Sequence, residues 1–365
     1  MEVVRFEYHP ELLERFIDVP CRLYRKDRHW IPPFRDSVRA QLGPEAPFRQ
    51  HGRMVHFLAV EGTEAVGRCS AILNRRYEED GEPIGFIGYF EGPDRYEVTE
   101  ALLSEAVAWL KAQGVETIRG PLNTSTYHPY RFMTRGYEHG SFFLEPYNPP
   151  HYPEHWERFG FKPCRQYASM IVDSKECADL LQRDYDRTIA AGLRFRTFDR
   201  SRFDDELRLM YDLSTRIFSG SWMWRPISFP EFRDLYAAMR SIMDPELCYF
   251  LFQDEEPVGF VFGLPDFGAA LRAMGGKSDL WAKLRFLSKR GQAKQALLKT
   301  FGVVPGRRTG TYALALCHVF HRAATERGYA QTVHALMRDD NVSLKMSLKR
   351  GGEPYKQYAL YQLGN

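Results

Sequence analysis

The apolar and polar positions of this chain predict the same order of strands and helices in its two halves. Apolar residues at alternate positions predict strands, and apolar residues three or four positions apart predict helices. Each half predicts a strand, a helix, three strands, a helix, a strand, a helix and a strand. In the first half these cover, in order, residues 3–8, 11–25, 56–62, 65–73, 83–92, 97–114, 115–121, 153–160 and 161–173. In the second half they cover 193–199, 204–218, 248–253, 257–264, 298–304, 312–327, 330–337, 341–350 and 355–363.

This repeated order predicts the fold class and the domains. Consecutive strands pair antiparallel and strands joined by a helix pair parallel. We therefore expect an α/β (α+β) chain of two domains, each a mixed, largely antiparallel twisted sheet flanked by helices. The first domain is expected at 1–175 and the second at 193–365, with a helical linker at 176–192 and a basic helical insertion at 269–297. Duplication explains the repeat, and turn chemistry shared by helix ends is the alternative explanation.

Composition narrows the class of partner and the compartment. The chain has 50 Lys and Arg against 47 Asp and Glu, a balance that gives no reason to expect nucleic acid as a partner. No apolar run reaches the roughly 18 residues that a membrane span needs. The six cysteines form no CxxC pair, so we expect reduced thiols and no metal site. The start, MEVVRFEYHPELLERF, meets acids at once and has no apolar signal core, so we expect a cytoplasmic protein.

The insertion departs from the balanced charge of the chain. Its segment 281-WAKLRFLSKR-290 interleaves apolar side chains with Lys and Arg, which predicts an amphipathic helix. An ordinary helix with a solvated outer face and a surface for an anionic partner or a membrane both remain open.

The segment 302-GVVPGRRTGTYALALCHVFHRAATERG-328 predicts a strand, a basic turn and a helix. The first turn of a helix carries N–H groups without intrahelical partners and a partial positive charge. Small residues let an anion approach the backbone, and arginine adds a fork of donors. We therefore predict that this turn binds a phosphate group, with a merely solvated basic loop as the alternative.

This strand–turn–helix segment, followed by a strand, Asn341 and Gly352, resembles the GCN5-related N-acetyltransferase (GNAT) superfamily, in particular a bacterial branch with a basic insertion before the cofactor turn. The resemblance covers most of residues 193–365 and, by element order only, 3–173. It implies that acetyl-CoA or another acyl-CoA is the co-substrate and that an amine accepts the acyl group. The residues then expected at the cofactor are Val303, Val304, Arg307, Arg308, Thr309, Gly310, Thr311, Tyr312, Ala313 and Asn341.

The chain also departs from the family pattern. The family's turn reads Arg/Gln-x-x-Gly-x-Gly/Ala, but here either Thr311 or Tyr312 takes a small-residue position. The matching turn of the first half, 91-EGPDRYEVTE-100, is acidic and should not bind CoA in the usual way. The place of the family's tyrosine acid, seven residues after Asn341, is taken by Leu348.

Three residues are candidates for catalysis. Tyr312 and Tyr355 are candidate acids by their proximity in the sequence, and His334 is a candidate base because it lies on a strand where some family members place theirs. The alternative is that His334 is a packed, hydrogen-bonded residue of an apolar strand. The same alternative applies to His318 and His321 on the preceding helix.

The expected function is acyl-CoA-dependent N-acyl transfer by the second domain, with acetyl transfer to a small amine or amino-acid-like acceptor. Two alternatives remain: a catalytically inactive ligand-binding protein of GNAT fold, and a tRNA-dependent aminoacyltransferase of the tandem GNAT-like type. The partner expected is a small-molecule amine rather than nucleic acid, no membrane span is expected, and a homodimer is left open.

Overall fold

The structure is a computed structural model that describes residues 1–237, 239–306 and 309–364. The strands are β1 (Glu2–Phe6), β2 (Gly52–Glu61), β3 (Glu64–Glu79), β4 (Glu82–Glu91), β5 (Thr117–Gly120), β6 (Phe132–Arg135), β7 (Lys162–Asp173), β8 (Leu193–Thr197), β9 (Cys248–Gln253), β10 (Glu256–Pro265), β11 (Gln295–Val303), β12 (Gln331–Arg338) and β13 (Glu353–Leu363). The α-helices are α1 (Pro10–Leu23), α2 (Arg35–Leu42), α3 (Tyr96–Ala112), α4 (His151–Phe159), α5 (Ser174–Ala190), α6 (Phe203–Phe218), α7 (Phe229–Ala237), α8 (Gly268–Met274), α9 (Leu280–Arg290), α10 (Thr309–Glu326) and α11 (Val342–Leu348).

The first compact unit, unit 1, consists of Met1–Tyr167, Phe267–Gly291 and Lys356–Asn365. Its strands run in the order β1-β2-β3-β4-β5-β13, followed by the first half of β7. Pairing is antiparallel from β1 to β4, and parallel between β4 and β5, the two strands that α3 connects. The apolar face of α3 packs Leu102 and Leu110 into one fully buried core with Trp156 of α4.

The second compact unit, unit 2, consists of Ala168–Asp266 and Gln292–Tyr355. Its strands run β8-β9-β10-β11-β12, followed by the second half of β7. Pairing is antiparallel from β8 to β11, and parallel between β11 and β12, the two strands that α10 connects. Leu316 and Phe320 of α10 share a core with Leu298 of β11 and Leu181 of α5. The two units therefore repeat one plan, in which a helix joins two neighbouring strands that pair parallel.

The compact units do not follow the division by chain order. The segment that contains α8 and α9 groups with unit 1, where the guanidinium of Arg272 donates to the carbonyl of Ser141 at 3.2 Å and the Arg35 amide donates to the carbonyl of Gly276 at 3.3 Å. The last part of β13 also groups with unit 1, where it pairs with β5. The domain boundaries 1–175, 176–192 and 193–365 stay a prediction.

Among the helices of the described residues, none combines the length and the apolar composition needed to span a bilayer.

A buried ion pair in unit 1 gives a test of this fold. The Lys356 ammonium lies 2.8 Å from a carboxylate oxygen of Glu145, and both side chains are completely buried. The Tyr358 hydroxyl donates to the other carboxylate oxygen. Lys356→Met leaves a buried carboxylate without its cation, so we expect the free energy of unfolding, measured in urea at pH 7, to fall by about 3–5 kcal/mol.

The matched control is the double variant Lys356→Met/Glu145→Gln. A glutamine carries no charge and its side-chain oxygen still accepts from Tyr358, so the double variant should recover part of the lost stability. A double variant that is no more stable than Lys356→Met would show that the charge of Glu145 is not what the lysine compensates.

Candidate functional site

The candidate site lies where the parallel strands β11 and β12 of unit 2 separate. Their described pairing runs from Gln295 opposite Gln331 to Leu298 opposite His334. Beyond that pair, β11 continues to Val303 and β12 continues to Arg338. A wedge therefore opens within the sheet on the side where both strands end, and its edges carry backbone groups that no longer face each other.

Irregularities on both strands cause this separation. In the ladder between β10 and β11, Phe262 lies opposite Thr300 while the next residue, Gly263, lies opposite Leu298, so Lys299 is an extra residue in β11. Such a bulge bends its strand and increases the twist. On β12, Leu336 has a φ of 60°, and its amide donates to the Ser169 hydroxyl on β7 at 3.0 Å. Each strand thus turns away from its partner just after their shared ladder ends.

The backbone direction of β11 places a donor on the open side. The Val304 amide donates to the Val258 carbonyl, on the β10 side, at 2.8 Å. Amides alternate in direction along a strand, so the N–H of Val303 points toward the side that β12 has left. Val303 was predicted at the cofactor, and this orientation makes its amide available to a carbonyl oxygen in the wedge.

The first turn of α10 follows β11 in the chain after the segment 304–308, and it is open to solvent. Thr309 and Gly310 are exposed and Thr311 is half-buried. A Cβ added to Gly310 would meet no atom within 4 Å, so there is free space beside this backbone. The predicted Arg307 and Arg308 lie outside the described residues. The described part of the turn has the access that an anion requires, together with the free N–H groups of a helix start.

The edges of the wedge border a small cavity. Leu298 and Phe301 line it from β11, and His334 and Met337 line it from β12. Side chains from α5, α10 and α11, and Arg350 just after α11, complete the lining; those on the helices are Cys177, Leu181, Leu314, Cys317, Ser343, Met346 and Ser347. His334 is thus the imidazole that the cavity places at the point where the two strands part.

His334 belongs to a chain of three hydrogen-bonded side chains. Its Nδ1 lies 2.9 Å from the Ser347 hydroxyl, and its Nε2 lies 2.9 Å from Nε2 of His321. Burial lowers the pKa of His334 to about 4, and burial together with the neighbouring His334 also lowers the pKa of His321 well below its usual value. Both imidazoles are therefore neutral at pH 7. The ring of His334 connects His321 on one side to the Ser347 hydroxyl on the other.

Other predicted residues have structural contacts. Tyr312 points inward and is buried in the core of unit 2, where Ala313 is a partly buried neighbour. The Asn341 side chain accepts from the Ser343 amide at 3.1 Å and so caps the N-terminus of α11. The structure therefore places Val303 and His334 on the two strands that border the wedge, and Thr309 and Gly310 on the exposed first turn of α10. The side chains of Tyr312 and Asn341 serve the packing and capping of helices.

Three buried side chains also offer atoms of the kind that bind metals. One ligand atom each from Cys177, His321 and His334 lies within 4.8 Å of the others. The Nε2 atoms of the two histidines already hydrogen-bond to each other, and burial raises the pKa of the Cys177 thiol to about 12, so the thiolate form that metals prefer is disfavoured. The cluster is therefore a neutral part of the core, in which Nδ1 of His321 is buried without a hydrogen-bond partner among the described residues.

Ser347 is the site residue that the sequence analysis missed. It is buried, lines the cavity and precedes Leu348, the position at which the family pattern expects its acid. Leu348 itself is exposed. A search for a hydroxyl within one residue of the expected position would have found Ser347. Only the packing of α11 against β12 shows that the Ser347 hydroxyl contacts His334.

Unit 1 closes the corresponding wedge with its own chain. Beyond the parallel pairing of β4 and β5, the Leu122 amide donates to the Ile87 carbonyl at 3.0 Å. The Tyr89 amide donates to the side-chain oxygen of Asn123 at 2.6 Å. Residues that follow β5 thus occupy the backbone groups that the open wedge of unit 2 leaves accessible.

The turn before α3 is also occupied. The Gly92 amide donates to the Tyr152 hydroxyl at 2.8 Å, and Arg95 is paired with Glu61 at 2.6 Å. An anion at this helix start would have to displace those contacts and would meet the acids around it. These contacts support the expectation that the first half does not bind CoA in the usual way.

Comparison with known proteins supports the same plan. No family model matches the chain. The chain is 27% identical over 364 residues to the bacterial ceramide synthase of Caulobacter vibrioides, with 97% of this chain and 95% of that protein covered. It is 24% identical over 360 residues to protein YghO of Escherichia coli, with 96% and 92% covered.

A solved structure identifies the fold. The chain superimposes on a tandem GNAT protein from the clavulanic acid biosynthesis pathway with a TM-score of 0.55 at 14% identity, and the match covers 100% of this chain and 98% of that one. Similarity at this identity shows architecture alone. The chain has the GNAT fold, and the predicted GNAT resemblance and mixed α/β fold class are confirmed.

The neutral histidine pair predicts how stability depends on pH. Because burial holds the pKa of His334 near 4, the unfolded state, in which histidine titrates near pH 6.5, binds more protons below that pH. The stabilising contribution is complete above pH 6.5 and is lost as the pH falls toward 4. From His334 alone we expect the free energy of unfolding in urea to drop by about 2 kcal/mol between pH 7 and pH 5.

The variant His334→Gln should show a flatter dependence on pH over the same range, whatever its stability at pH 7. His139→Asn, at a partly exposed side chain of unit 1, is the matched control and should keep the wild-type slope. Equal slopes in the wild type and in His334→Gln would mean that His334 is not held neutral by the fold.

Proposed function

We propose that this protein is an acyl-CoA-dependent N-acyltransferase and that unit 2 carries the reaction. The observation that carries the proposal is the open wedge between β11 and β12, which has an exposed helix start at the end of β11 and a buried serine–histidine pair on its lining. Unit 1 has the same plan but fills these positions with its own residues.

The exposed turn and the strand edge have distinct parts in this proposal. The CoA diphosphate binds the free amides at Thr309, Gly310 and Thr311, since the start of α10 favours negative charge and has room beside Gly310. The thioester then lies in the wedge, where the Val303 amide donates to its carbonyl oxygen. This donor polarises the carbonyl and stabilises the oxyanion that forms on attack.

The side chains on the lining move the proton. A neutral amine attacks the thioester carbon, the new C–N bond forms, and the C–S bond breaks to release CoA as a thiolate. The attacking nitrogen must lose a proton and the thiolate must gain one. We assign the first transfer to the Ser347 hydroxyl, which takes the proton from the nitrogen as it passes its own proton to Nδ1 of His334, whose other ring nitrogen is hydrogen-bonded to His321. The protonated His334 then returns a proton through Ser347 to the CoA thiolate, so that no net proton stays on the protein.

The acceptor that we propose is a long-chain amino alcohol. A ceramide is such a molecule acylated on nitrogen, and the relative named a ceramide synthase aligns along nearly the whole of both chains. The co-substrate is then a long-chain acyl-CoA. This choice replaces the acetyl group and the small amine that the sequence analysis expected, while it retains N-acyl transfer from CoA.

The assay uses the full chain with palmitoyl-CoA and sphinganine, and it measures free CoA thiol and the amide product by mass spectrometry. Formation of both in equal amounts supports the proposal. Turnover with acetyl-CoA and a small amine instead would support the narrower expectation from the sequence. No product with either pair, together with stabilisation by CoA in thermal denaturation, would indicate an inactive binding protein. Turnover only with aminoacyl-tRNA would indicate a tRNA-dependent aminoacyltransferase.

Ser347→Ala tests the proton path. The variant removes a hydroxyl from the cavity lining and leaves the main chain intact, so we expect kcat to fall about 100-fold with little change in KM. Ser343→Ala is the matched control because Ser343 lines the same cavity and lies one helical turn away, and it should keep wild-type kcat. A similar kcat in both variants would remove Ser347 from the mechanism.

Gly310→Asp tests the binding of the diphosphate. The site has space for the side chain, and an aspartate in the first turn of a helix is favourable, so thermal stability should be unchanged or slightly higher. The same carboxylate repels a diphosphate, and we expect the Kd for palmitoyl-CoA, measured by calorimetry, to rise at least about tenfold.

Gly310→Asn, which has nearly the same shape without the charge, should bind palmitoyl-CoA more tightly than Gly310→Asp. Unchanged affinity in Gly310→Asp would place the diphosphate elsewhere. Arg308→Glu, at a residue of the predicted basic turn that lies outside the described residues, should likewise weaken acyl-CoA binding and leave the fold intact.

A further inference from the structure

We propose that the outer face of α9, formed by Leu280, Trp281, Leu284 and Leu287, docks unit 1 on a lipid bilayer with anionic headgroups. These four side chains are 69%, 72%, 47% and 52% exposed. An exposed Trp with three exposed Leu on one short helix is a concentration of apolar surface that a protein in contact only with water rarely shows. The inference concerns this surface and does not depend on the proposed reaction.

The four side chains share one face of the helix. With about 100° between successive residues, Leu287, Leu280 and Leu284 fall within about 60° of one another, and Trp281 lies about 60° beyond Leu284. Ala282 and Phe286 are buried and point to the opposite side. The apolar residues of α9 are therefore divided into an inward pair and an outward group.

Basic side chains flank the outer face on both sides. By the same angular count, Lys283 and Arg290 lie beside Leu287, whereas Arg285 and Lys289 lie beside Trp281. All four are exposed. An apolar face between two rows of cations is the arrangement of helices that lie in the membrane interface, with the apolar side chains below the headgroups and the cations level with phosphates.

The charge of the whole segment has the same sign. Residues 268–294 contain seven Lys or Arg and one acid, Asp279. The Asp279 side chain accepts from the Ala282 amide at 2.9 Å, so this carboxylate caps α9. The rest of the chain has more acids than Lys and Arg, because the total excess of cations is only 3. The positive charge is concentrated where the apolar side chains are exposed, as binding to anionic lipids requires.

The helix is held in place by unit 1. Phe286 packs edge-on against Phe267 with ring centroids 5.3 Å apart. Gly276, between α8 and α9, lies so close to the backbone that an added Cβ would come within 2.7 Å of the Pro33 carbonyl oxygen. The outer face is thus displayed by a packed helix and costs no further folding when it meets a surface.

Charge favours a bilayer over the other occupants. In a symmetric dimer through this face, the two rows of cations would meet their own copies and repel each other. Against nucleic acid, the cations would meet phosphates but the Leu and Trp side chains would find little apolar surface. Anionic lipids satisfy both groups at once.

Flotation of the full chain with vesicles tests the proposal. We use vesicles of phosphatidylcholine alone and vesicles that also contain about 30% phosphatidylglycerol, whose anionic headgroups attract basic helices. The wild type should float with the anionic vesicles and much less with the neutral ones. Trp281→Gln/Leu284→Gln should lower the partition coefficient at least about tenfold. Lys283→Gln/Arg285→Gln should lower it about fivefold for each charge removed, on the anionic vesicles only.

Leu180→Gln is the matched control, since Leu180 on α5 of unit 2 is exposed to the same extent as Leu287. It should bind vesicles as the wild type does, and all variants should keep the wild-type melting temperature. Three results overturn the proposal: a wild type that does not float with anionic vesicles, a Trp281→Gln/Leu284→Gln variant that floats as well as the wild type, or a dimer in ultracentrifugation that this variant converts to a monomer.

Discussion

The separation of β11 from β12 after Leu298 and His334 is the constraint on which the candidate site depends. In a regular parallel sheet these strands would continue to satisfy each other's backbone groups, and no ligand could reach them. The extra residue at Lys299 and the positive φ at Leu336 end the ladder from both sides. The freed donors lie on the strand that precedes α10 in the chain, so the exposed start of that helix comes after them.

The comparison between the units shows that a wedge of this kind stays accessible only where the following segment of the chain does not fill it. In unit 1, residues that follow β5 form hydrogen bonds with β4, and the Tyr152 hydroxyl accepts a hydrogen bond from the Gly92 amide. The same plan thus gives a closed structural unit or an open one, according to what the next segment offers. Since buried backbone groups need partners, the accessible groups of unit 2 are left to water or to a ligand.

The sequence predicts the elements well because periodicity reports which face of each element is buried. The helix at 97–114 and the strand at 330–337 are found nearly as predicted, at Tyr96–Ala112 and Gln331–Arg338. The contact between Ser347 and His334 could not be predicted in this way, because it joins a helix and a strand whose distance depends on packing. Similarly, periodicity assigns Tyr312 to a helix start near the cofactor, but only the packed core shows that its ring turns inward.

The grouping of segments into units was beyond periodicity for a related reason. The insertion leaves unit 2 after β10 and returns before β11, and its base is closed where the Asp266 amide donates to the Gln295 carbonyl at 2.9 Å. What decides that α8 and α9 fold with unit 1 is a set of long-range contacts, such as that of Arg272 with the Ser141 carbonyl, which leave no periodic pattern.

The division of apolar residues on α9 is different. The sequence shows two groups of apolar residues on α9, but the helical pattern alone does not predict which group packs against protein. Once Ala282 and Phe286 are found against unit 1, the remaining apolar face of α9 requires an explanation of its own.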